Sequence, residues 1–568
     1  MGEMTAKDHS CQKRPRTVAI GVQDFDKLIT KNYFYIDKTA FIKEWWDSGD
    51  EVTLITRPRR FGKTLNMSML ERFFSNKYEG QGEIFENLDI WKEEEYRNLQ
   101  GTYPVLFLSF AGIKETDYAS ARQAICQMIA KLYVEFDYLR KSELLTEIDQ
   151  KYWRTVSADM NKVNAAMALH NLCDYLHRYY GKKVIVLLDE YDTPLQEAYV
   201  NGYWKELVSF TRSLFNNTFK TNPYLERAVM TGITRVSKES MFSDLNNLKV
   251  ITMRSDKYAS YFGFTETEVF AAMDEFGLTN KNEAKHWYDG FTIGNLKDIY
   301  NPWSIISFLD EGQLDTYWAN TSSNSLVGSL IRTGDIELKM QFEDLLQGRV
   351  IYSDIDDEMV FNQLDDHDAS AVWSLLFASG YLKMLGIQDD IYELELTNYE
   401  VRRMFESMVK GWLRKDRSHY NQFVKAMLKA DVESMNEYMN RFALSTISYF
   451  DVGEKPSGQA EPERFYHGFV LGLLVDLRDR YEIISNRESG FGRYDVMLKP
   501  RNDTEDGIIL EFKVYNPRKE DTLEETVQSA LLQIEQKQYE QTLMNQGISK
   551  DRIRKYGFGF RGKEVLIG

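Results

Sequence analysis

The run Arg57-Pro-Arg-Arg-Phe-Gly-Lys-Thr64 contains residue types that bind phosphate. It follows an apolar stretch, Glu51–Thr56, that predicts a buried strand, and it precedes a helical pattern over Leu65–Phe74. In such a strand–loop–helix unit, backbone N–H groups and the helix N-terminus hold phosphate oxygens. We therefore expect Lys63 to lie between the β- and γ-phosphates of ATP, and Thr64 to coordinate Mg²⁺.

The loop departs from the pattern GxxxxGK[ST] at one position, because Arg57 stands where the first glycine is expected. Gly62 supplies the second glycine, which lets the backbone approach a ligand closely. We also place Arg59 and Arg60 among the expected nucleotide-binding residues. Taken alone, the closing Gly-Lys-Thr tripeptide is a weak signal, and an ordinary loop with a solvated lysine is the alternative.

A second motif favours the nucleotide site. The apolar stretch Val184–Leu188 ends in Asp189 and Glu190, so a strand would place Asp189 beside Mg²⁺ and let Glu190 activate the attacking water. Acids at a strand end are often only the start of a loop. A later strand leads into Thr231-Gly-Ile-Thr-Arg235, where Arg235 is a candidate for stabilising transition-state charge, with a surface arginine as the alternative.

The C-terminal region holds a different set of residues, Asp495, Glu511 and Lys513. Residues two apart in a strand share a face, so Glu511 and Lys513 should project together, and a hairpin would bring Asp495 alongside. The two carboxylates would bind Mg²⁺, and Lys513 would orient water or stabilise the transition state of phosphodiester hydrolysis. The alternative is a cross-strand salt bridge on a half-exposed sheet.

Two further residues are weaker candidates for the same site. Glu463 precedes it on a predicted helix and would supply another acid, and Gln533 on a later helix would position the site. Each is equally well explained as ordinary helix surface.

Strands alternating with helices predict a parallel α/β sheet over the first half of the chain. The expected domains are a tail over 1–17, a P-loop ATPase domain over 18–255, a mainly helical middle region over 256–455 and an α/β domain over 456–568. The stretch Asp451–Pro462, with two prolines and two glycines, is interpreted as a linker. Helices are expected at Ala369–Leu385 and Leu523–Asn545, among others.

Composition narrows the class of protein. The chain has 568 residues and a net charge of −17, so nucleic acid would have to be bound by a local basic patch. Three distant cysteines without a CxxC motif predict neither a zinc site nor a disulfide framework, and they suit a reducing cytoplasm. No apolar run approaches the ~18 residues of a membrane span, and no secretory signal is evident.

These motifs resemble a known family, the bacterial AAA-ATPase-like proteins with a C-terminal PD-(D/E)XK nuclease domain. The resemblance covers nearly the whole chain. It rests on the two ATP motifs and the C-terminal residues above, together with Gly21–Phe25, Tyr33–Thr39, Leu188–Asp192, Thr231–Arg235, Trp287–Phe291, Tyr300–Trp303 and Gly492–Asp495. It implies an additional-strand P-loop ATPase fused to a restriction-endonuclease-like fold, and Arg57 resembles the family's own loop.

Two functional hypotheses follow. The first is an ATPase that controls a Mg²⁺-dependent nuclease acting on nucleic acid, with DNA the expected substrate. The second is a nucleotide-dependent switch whose C-terminal fold binds nucleic acid or protein without cleavage. Such ATPases often receive an arginine from a neighbouring subunit, so homo-oligomers are compatible with the first hypothesis.

Overall fold

A computed structural model describes residues 16–234, 242, 245–318, 325–334, 336–356, 364, 368–413, 417–447, 477, 480–484, 496–502, 505–517, 519–561 and 564–568. The chain divides into two compact units. The first comprises Met1–Val327 and Val350–Arg402, and the second comprises Gly328–Arg349 and Arg403–Gly568. The domain boundaries expected at residues 255 and 455 stay predictions.

A five-stranded parallel sheet forms the centre of the first unit, as predicted. Its strands are β1 Val52–Thr56, β2 Val105–Ser109, β3 Val184–Asp189, β4 Leu225–Gly232 and β5 Leu248–Ile251. The spatial order is β2-β3-β4-β1-β5, so β4 lies between the strand before the phosphate loop and the strand before the acidic pair. This is the additional-strand arrangement that the resemblance implies.

Burial explains why these segments form central strands. Every residue of β1 and β3 is buried, which is typical of a parallel sheet covered by helices on both faces. Helices of the first 220 residues cover the sheet. They are α1 Phe25–Thr30, α2 Ala40–Asp47, α3 Lys63–Phe74, α4 Glu94–Arg97, α5 Tyr118–Glu135, α6 Asp137–Arg140, α7 Glu147–Trp153, α8 Lys162–Tyr180, α9 Thr193–Val200 and α10 Trp204–Phe219, with 3₁₀ turns at Asn76–Tyr78, Gly82–Phe85 and Asp89–Lys92.

The aromatic core of this unit fixes α3, the helix that follows the phosphate loop. Phe73 and Phe74 of α3 are fully buried against Trp45 of α2 and against Phe85. Such side chains each bury large apolar areas and pack in preferred ring geometries. The C-terminal end of α3 is therefore anchored in the core.

The middle of the chain contains more strand than its helical pattern predicts. Its helices are α11 Glu266–Glu275, α12 Lys281–Tyr288, α13 Pro302–Glu311, α14 Ser325–Thr333, α15 Ile336–Leu346, α16 Ala369–Ala378, α17 Tyr399–Leu413, α18 Arg417–Lys429 and α19 Val432–Ile447. Two small antiparallel sheets accompany them: β6 Phe264–Thr265, β7 Phe291–Ile293 and β8 Leu296–Tyr300 in one, and β9 Ile351–Asp354, β10 Leu382–Gln388 and β11 Ile391–Leu396 in the other.

The helix expected over Ala369–Leu385 extends seven residues beyond the end of the observed helix. It ends at Ala378, and Gly380 follows with φ of 82°, a left-handed conformation that terminates helices. The chain then turns into β10. The apolar run continues through this turn, so periodicity alone did not reveal the boundary.

The second unit contains a mixed five-stranded sheet of order β12-β13-β14-β15-β16. Its strands are β12 Tyr481–Ile484, β13 Val496–Pro500, β14 Gly507–Val514, β15 Ile553–Arg561 and β16 Glu564–Ile567, and its later helices are α20 Leu523–Gln536 and α21 Glu540–Met544, with a 3₁₀ turn at Lys550–Arg552. Strand β15 is parallel to β14 and the other pairs are antiparallel. The α/β pattern expected here is confirmed.

Two details of this unit differ from the prediction. The long helix expected over Leu523–Asn545 breaks at Gln538, which has φ of 51°. Strand β15 was not predicted, because Gly557 and Gly559 interrupt its apolar alternation. Both glycines allow α20 to pack closely on β15.

A search of the described helices finds none that combines the length and the apolarity needed to span a membrane.

Candidate functional site

The phosphate loop ends where α3 begins. Gly62 is the N-cap of α3 and has φ of 79°, a conformation that glycine adopts without strain. The Lys63 ammonium donates hydrogen bonds to the carbonyls of Arg57 and Pro58, at 2.9 and 2.8 Å. Burial lowers the pKa of Lys63, whereas the acids Glu190, Asp192 and Asp189 oppose that shift. The loop therefore folds around the lysine.

Asp189 joins the loop to the two strands beside it. Its carboxylate accepts a hydrogen bond from Thr64 Oγ1 at 2.8 Å and one from Thr231 Oγ1 at 2.6 Å. Ser109 at the end of β2 lies 3.4 Å from the same group. Burial raises the pKa of Asp189, and the two threonine hydroxyls lower it. Hydroxyl and carboxylate oxygens are the ligand types that Mg²⁺ takes in proteins, so this donor set fits Mg²⁺.

Two residues at this site have strained backbones. Glu190 has φ of 52° and Arg60 has φ of 66°, although neither is glycine. Left-handed backbone at such residues is uncommon and tends to occur where function requires it. Two hydrogen bonds hold Glu190 in this conformation. Its backbone N–H donates to Thr231 Oγ1 at 3.3 Å, and its carboxylate accepts a hydrogen bond from Thr193 Oγ1 at 3.2 Å.

Asp192 was not predicted as part of the site. Its buried Oδ2 accepts hydrogen bonds from the N–H groups of Ile233 and Thr234, at 2.8 and 3.0 Å, and from the Thr234 hydroxyl at 3.2 Å. The neighbouring Tyr191 hydroxyl donates to the Thr234 carbonyl at 2.7 Å. The turns after β3 and β4 are therefore bonded together. A second acid two residues after Glu190 was the available sequence signal.

Residues far along the chain reach the phosphate loop. Asn301 Nδ2 donates to the carbonyl of Arg59 at 3.2 Å, and the Arg60 guanidinium lies 4.2 Å from the centre of the Trp303 ring. Arg59 itself donates to Gln196 Oε1 at 3.2 Å. The Tyr300–Trp303 motif thus supports the loop, a role that the sequence alone did not assign.

Arg235 lies outside the described residues. The Asp37 carboxylate accepts from Thr39 and from the backbone N–H of Asp89 at 2.7 Å, and the Lys38 ammonium donates to Glu268. A salt bridge therefore satisfies the buried Lys38, and local hydrogen bonds satisfy Asp37.

An acidic cluster lies elsewhere in the first unit. Carboxylate oxygens of Glu266, Asp289 and Asp298 all lie within 4.8 Å of one another. The Lys285 ammonium is bonded to Glu266 and lies 3.7 Å from Asp289 and 3.4 Å from Asp298. Burial, with a hydrogen bond to Asp298, raises the pKa of Asp289 to about 7. The single charge of Lys285 compensates only part of the negative charge of these three carboxylates.

The second unit brings Glu511 and Gln533 together. Glu511 in β14 is 2% exposed, and the Gln533 amide on α20 donates a hydrogen bond to its Oε1. Lys513 is two residues further along the strand and partly exposed. Val496, which follows Asp495 in sequence, pairs with Leu510, which precedes Glu511. Asp495 and Glu463 both lie outside the described residues.

Glycines in β15 allow this arrangement. Glu511 pairs with Gly557 and Lys513 pairs with Gly559. A Cβ on Gly557 would lie 2.8 Å from the Val527 carbonyl of α20, so only glycine lets that helix pack so closely on the strand. The opposite face of β14 and β15 carries the aromatic core, including Phe512. Alternation of the strand thus separates the core face from the face with Glu511.

The chain was compared with known proteins. Residues 19–242 match the family model described as predicted AAA-ATPase, and residues 461–568 match the PD-(D/E)XK nuclease superfamily. A similar protein from Azotobacter chroococcum mcd 1, described as an uncharacterized protein in the vnfD 5′ region, is 26% identical over 519 residues, covering 88% of this chain and 89% of that protein. The Aeropyrum pernix ORC2 protein, solved in ADPNP–ADP complexes, aligns with a TM-score of 0.22 and 10% identity, over 67% of this chain and 98% of that one.

The tight contact at Gly232 yields a stability prediction. A Cβ at this position would lie 2.6 Å from the Tyr191 ring and 2.9 Å from Asp192 Oδ1. Because both side chains are buried, we expect Gly232→Ala to lower the free energy of unfolding by about 1–3 kcal/mol, measured by denaturant titration. Gly112→Ala is the control, since no atom lies within 4 Å of its Cβ. Equal stability of the two variants would contradict the packing described.

Proposed function

Because the chain combines a predicted AAA-ATPase domain with a PD-(D/E)XK nuclease superfamily domain, we propose that it hydrolyses ATP and cleaves phosphodiester bonds in nucleic acid. The observation that carries the ATPase half is the position of Asp189, hydrogen-bonded both to Thr64 of the phosphate loop and to Thr231 of β4. A carboxylate held in this way, beside a buried lysine, suits binding of a nucleoside triphosphate with its metal.

Each residue of the ATP site has a distinct task in this proposal. Lys63 and the N-terminus of α3 bind and orient the β- and γ-phosphates. Glu190 accepts a proton from the attacking water, and its constrained backbone fixes the direction of the carboxylate. Arg59 and Arg60 add positive charge at the loop. Arg235 follows the last described residue after β4 and is proposed to stabilise transition-state charge.

We propose Thr64 and Asp189 as the protein ligands of Mg²⁺, and Asp495 with Glu511 as those of a second metal site. A divalent ion bound there would neutralise phosphate charge and lower the pKa of a bound water. Lys513, on the same strand face as Glu511, would hold the phosphate oxygens. Gln533 keeps the Glu511 carboxylate in one orientation through its amide hydrogen bond.

One observation favours a second candidate function. Glu511 is 2% exposed and is bonded to Gln533, as a structural carboxylate in a binding domain would be. In that case the C-terminal domain binds nucleic acid or protein without cleavage, and the ATPase acts as a nucleotide-dependent switch.

The finer features of the proposal concern substrate and setting. We propose DNA as the nucleic acid, with nucleotide state controlling the nuclease domain, and homo-oligomers as compatible with the ATP site. The described cysteines Cys126 and Cys173 are free and buried, which supports the further proposal of a cytoplasmic location.

ATP turnover tests the first half of the proposal. Lys63→Ala should lower the turnover rate at least about 100-fold, because it removes a cation from the developing phosphate charge. Glu190→Gln should bind ATP normally but turn over about 100- to 10,000-fold more slowly, because the amide cannot accept the proton. Phosphate release and fluorescent-nucleotide binding measure the two effects. Lys43→Ala, which removes a partly exposed cation paired with Glu93, is the control. Normal hydrolysis by Lys63→Ala would refute the site.

Cleavage assays test the second half. Wild type, Glu511→Ala and Lys513→Ala are incubated with single- and double-stranded DNA and RNA, with Mg²⁺ or Mn²⁺, with and without ATP. We expect cleavage by wild type and a loss of about 100-fold or more in each variant, since both groups act on the reacting phosphate. Lys555→Ala is the control, because this lysine of β15 is bonded to Glu540 of α21. Binding without cleavage by wild type under every condition would favour the second candidate function.

A further inference from the structure

The side chain of Arg57 lies fully buried behind the phosphate loop, at the position where the phosphate-binding pattern has its first glycine. Its guanidinium donates hydrogen bonds to the carbonyls of Thr56 and Thr252, at 2.9 and 2.8 Å, and to that of Lys257 at 3.4 Å. The Phe262 ring lies 5.7 Å from it. These groups are neutral, so they satisfy donors without compensating the charge.

Two other buried cations of the same unit have acidic partners, whereas the buried Lys63 ammonium donates to the carbonyls of Arg57 and Pro58. The Lys38 ammonium is 2.6 Å from Glu268, and Arg72 Nε is 2.8 Å from Asp26. Within the part of the chain that the structure describes, no carboxylate pairs with Arg57, and its buried Nε has no hydrogen-bond acceptor. An uncompensated buried charge is strongly unfavourable. Its presence at a site that binds anions therefore calls for a functional explanation.

The guanidinium is close to the phosphate-binding lysine. It donates to the carbonyl of Thr56, and the Lys63 ammonium donates to the next carbonyl along the chain, that of Arg57. Two cations bonded to adjacent carbonyls are separated by roughly 10 Å or less. In the buried environment between them the effective dielectric is low, so charges act on one another over this distance and salt screens them weakly.

The charge of Arg57 persists at neutral pH. Burial lowers the pKa of its guanidinium to about 9, which still leaves the group protonated at pH 7. The turn that it contacts follows β5, on the opposite side of β1 from β4 and Asp189. The guanidinium therefore lies on the side of β1 away from Asp189, so an effect on a nucleotide bound beside Asp189 would be electrostatic.

We propose that Arg57 is a buried cation whose missing counter-charge is supplied by the polyphosphate of the bound nucleotide, so that it selects nucleotides by the number of their phosphates. This inference rests on the proposed ATP site. Arg57 favours ATP over ADP and ADP over AMP, since each added phosphate brings negative charge near the guanidinium. The nucleotide-free protein carries the uncompensated charge and is correspondingly less stable.

Affinity measurements on the full-length protein test this role. Dissociation constants for ATP, ADP and AMP are measured by calorimetry for wild type, Arg57→Gln, Arg57→Lys and Lys63→Ala. Gln keeps amide donors but removes the charge, whereas Lys keeps the charge with a different donor geometry. We expect Arg57→Gln to weaken ATP binding about tenfold more than AMP binding. Arg57→Lys should restore most of the preference for ATP.

Melting temperatures without nucleotide provide a second readout. Arg57→Gln should melt at or above the temperature of wild type, because it removes a buried charge, and ATP should stabilise it less. Equal weakening of ATP and AMP binding in Arg57→Gln would show that Arg57 is only a structural hydrogen-bond donor. Loss of the preference for ATP in Arg57→Lys as well would show the same. If Arg57→Gln does not fold, the ratio of ATP affinity to AMP affinity in Arg57→Lys tests the proposal. A ratio close to that of wild type supports it, and a lost preference for ATP contradicts it. Failure of wild type to bind ATP would instead refute the proposed function itself.

Discussion

The carboxylate of Asp189 is the contact on which the first unit depends. It is buried at the end of β3. It accepts hydrogen bonds from Thr64 of α3, the helix that follows β1, and from Thr231 of β4, the strand that lies between β1 and β3. Removing water from a carboxylate is unfavourable unless donors replace the lost hydrogen bonds. Thr64 and Thr231 supply those donors, so the phosphate loop and β4 are fixed relative to the acidic pair. Placement of β4 between β1 and β3 is what makes this three-way contact possible.

Around this contact the protein retains several features that reduce stability. Glu190 and Arg60 have left-handed backbones, Asp192 is a buried carboxylate, and Arg57 is a buried cation. Each is unfavourable by itself, and each lies in a loop at the carboxyl edge of the same sheet. Such unfavourable features are retained where many surrounding contacts hold them in place and where function requires them. Their concentration at one edge is a stronger indication of a ligand site than any single motif.

The sequence predicted the parallel sheet, the position of the phosphate loop and an α/β pattern at the C-terminus, because local periodicity determines these. It did not predict contacts between distant segments. Asn301 and Trp303 reach the loop from about 240 residues away, and no local pattern encodes that approach. Strand β15 was missed for a related reason: Gly557 weakens the strand signal while providing the space that α20 needs. A sequence pattern predicts the type of a secondary-structure element. The element that packs against it determines which residues it can contain.

The two sites differ in how their acids are prepared for chemistry. In the proposed ATP site, hydroxyl groups hold Asp189, and a hydroxyl can remain bonded to a carboxylate while both ligate a metal. In the second unit an amide holds Glu511, and an amide N–H is only a donor to the oxygen that it occupies. Each carboxylate oxygen has two lone pairs, so Glu511 can ligate a metal while it keeps the hydrogen bond from Gln533. The same amide keeps the buried carboxylate in one orientation, which is the pre-organisation that a metal ligand requires. Gln533 thus connects the structural and catalytic interpretations of Glu511, and its position depends on the glycines of β15.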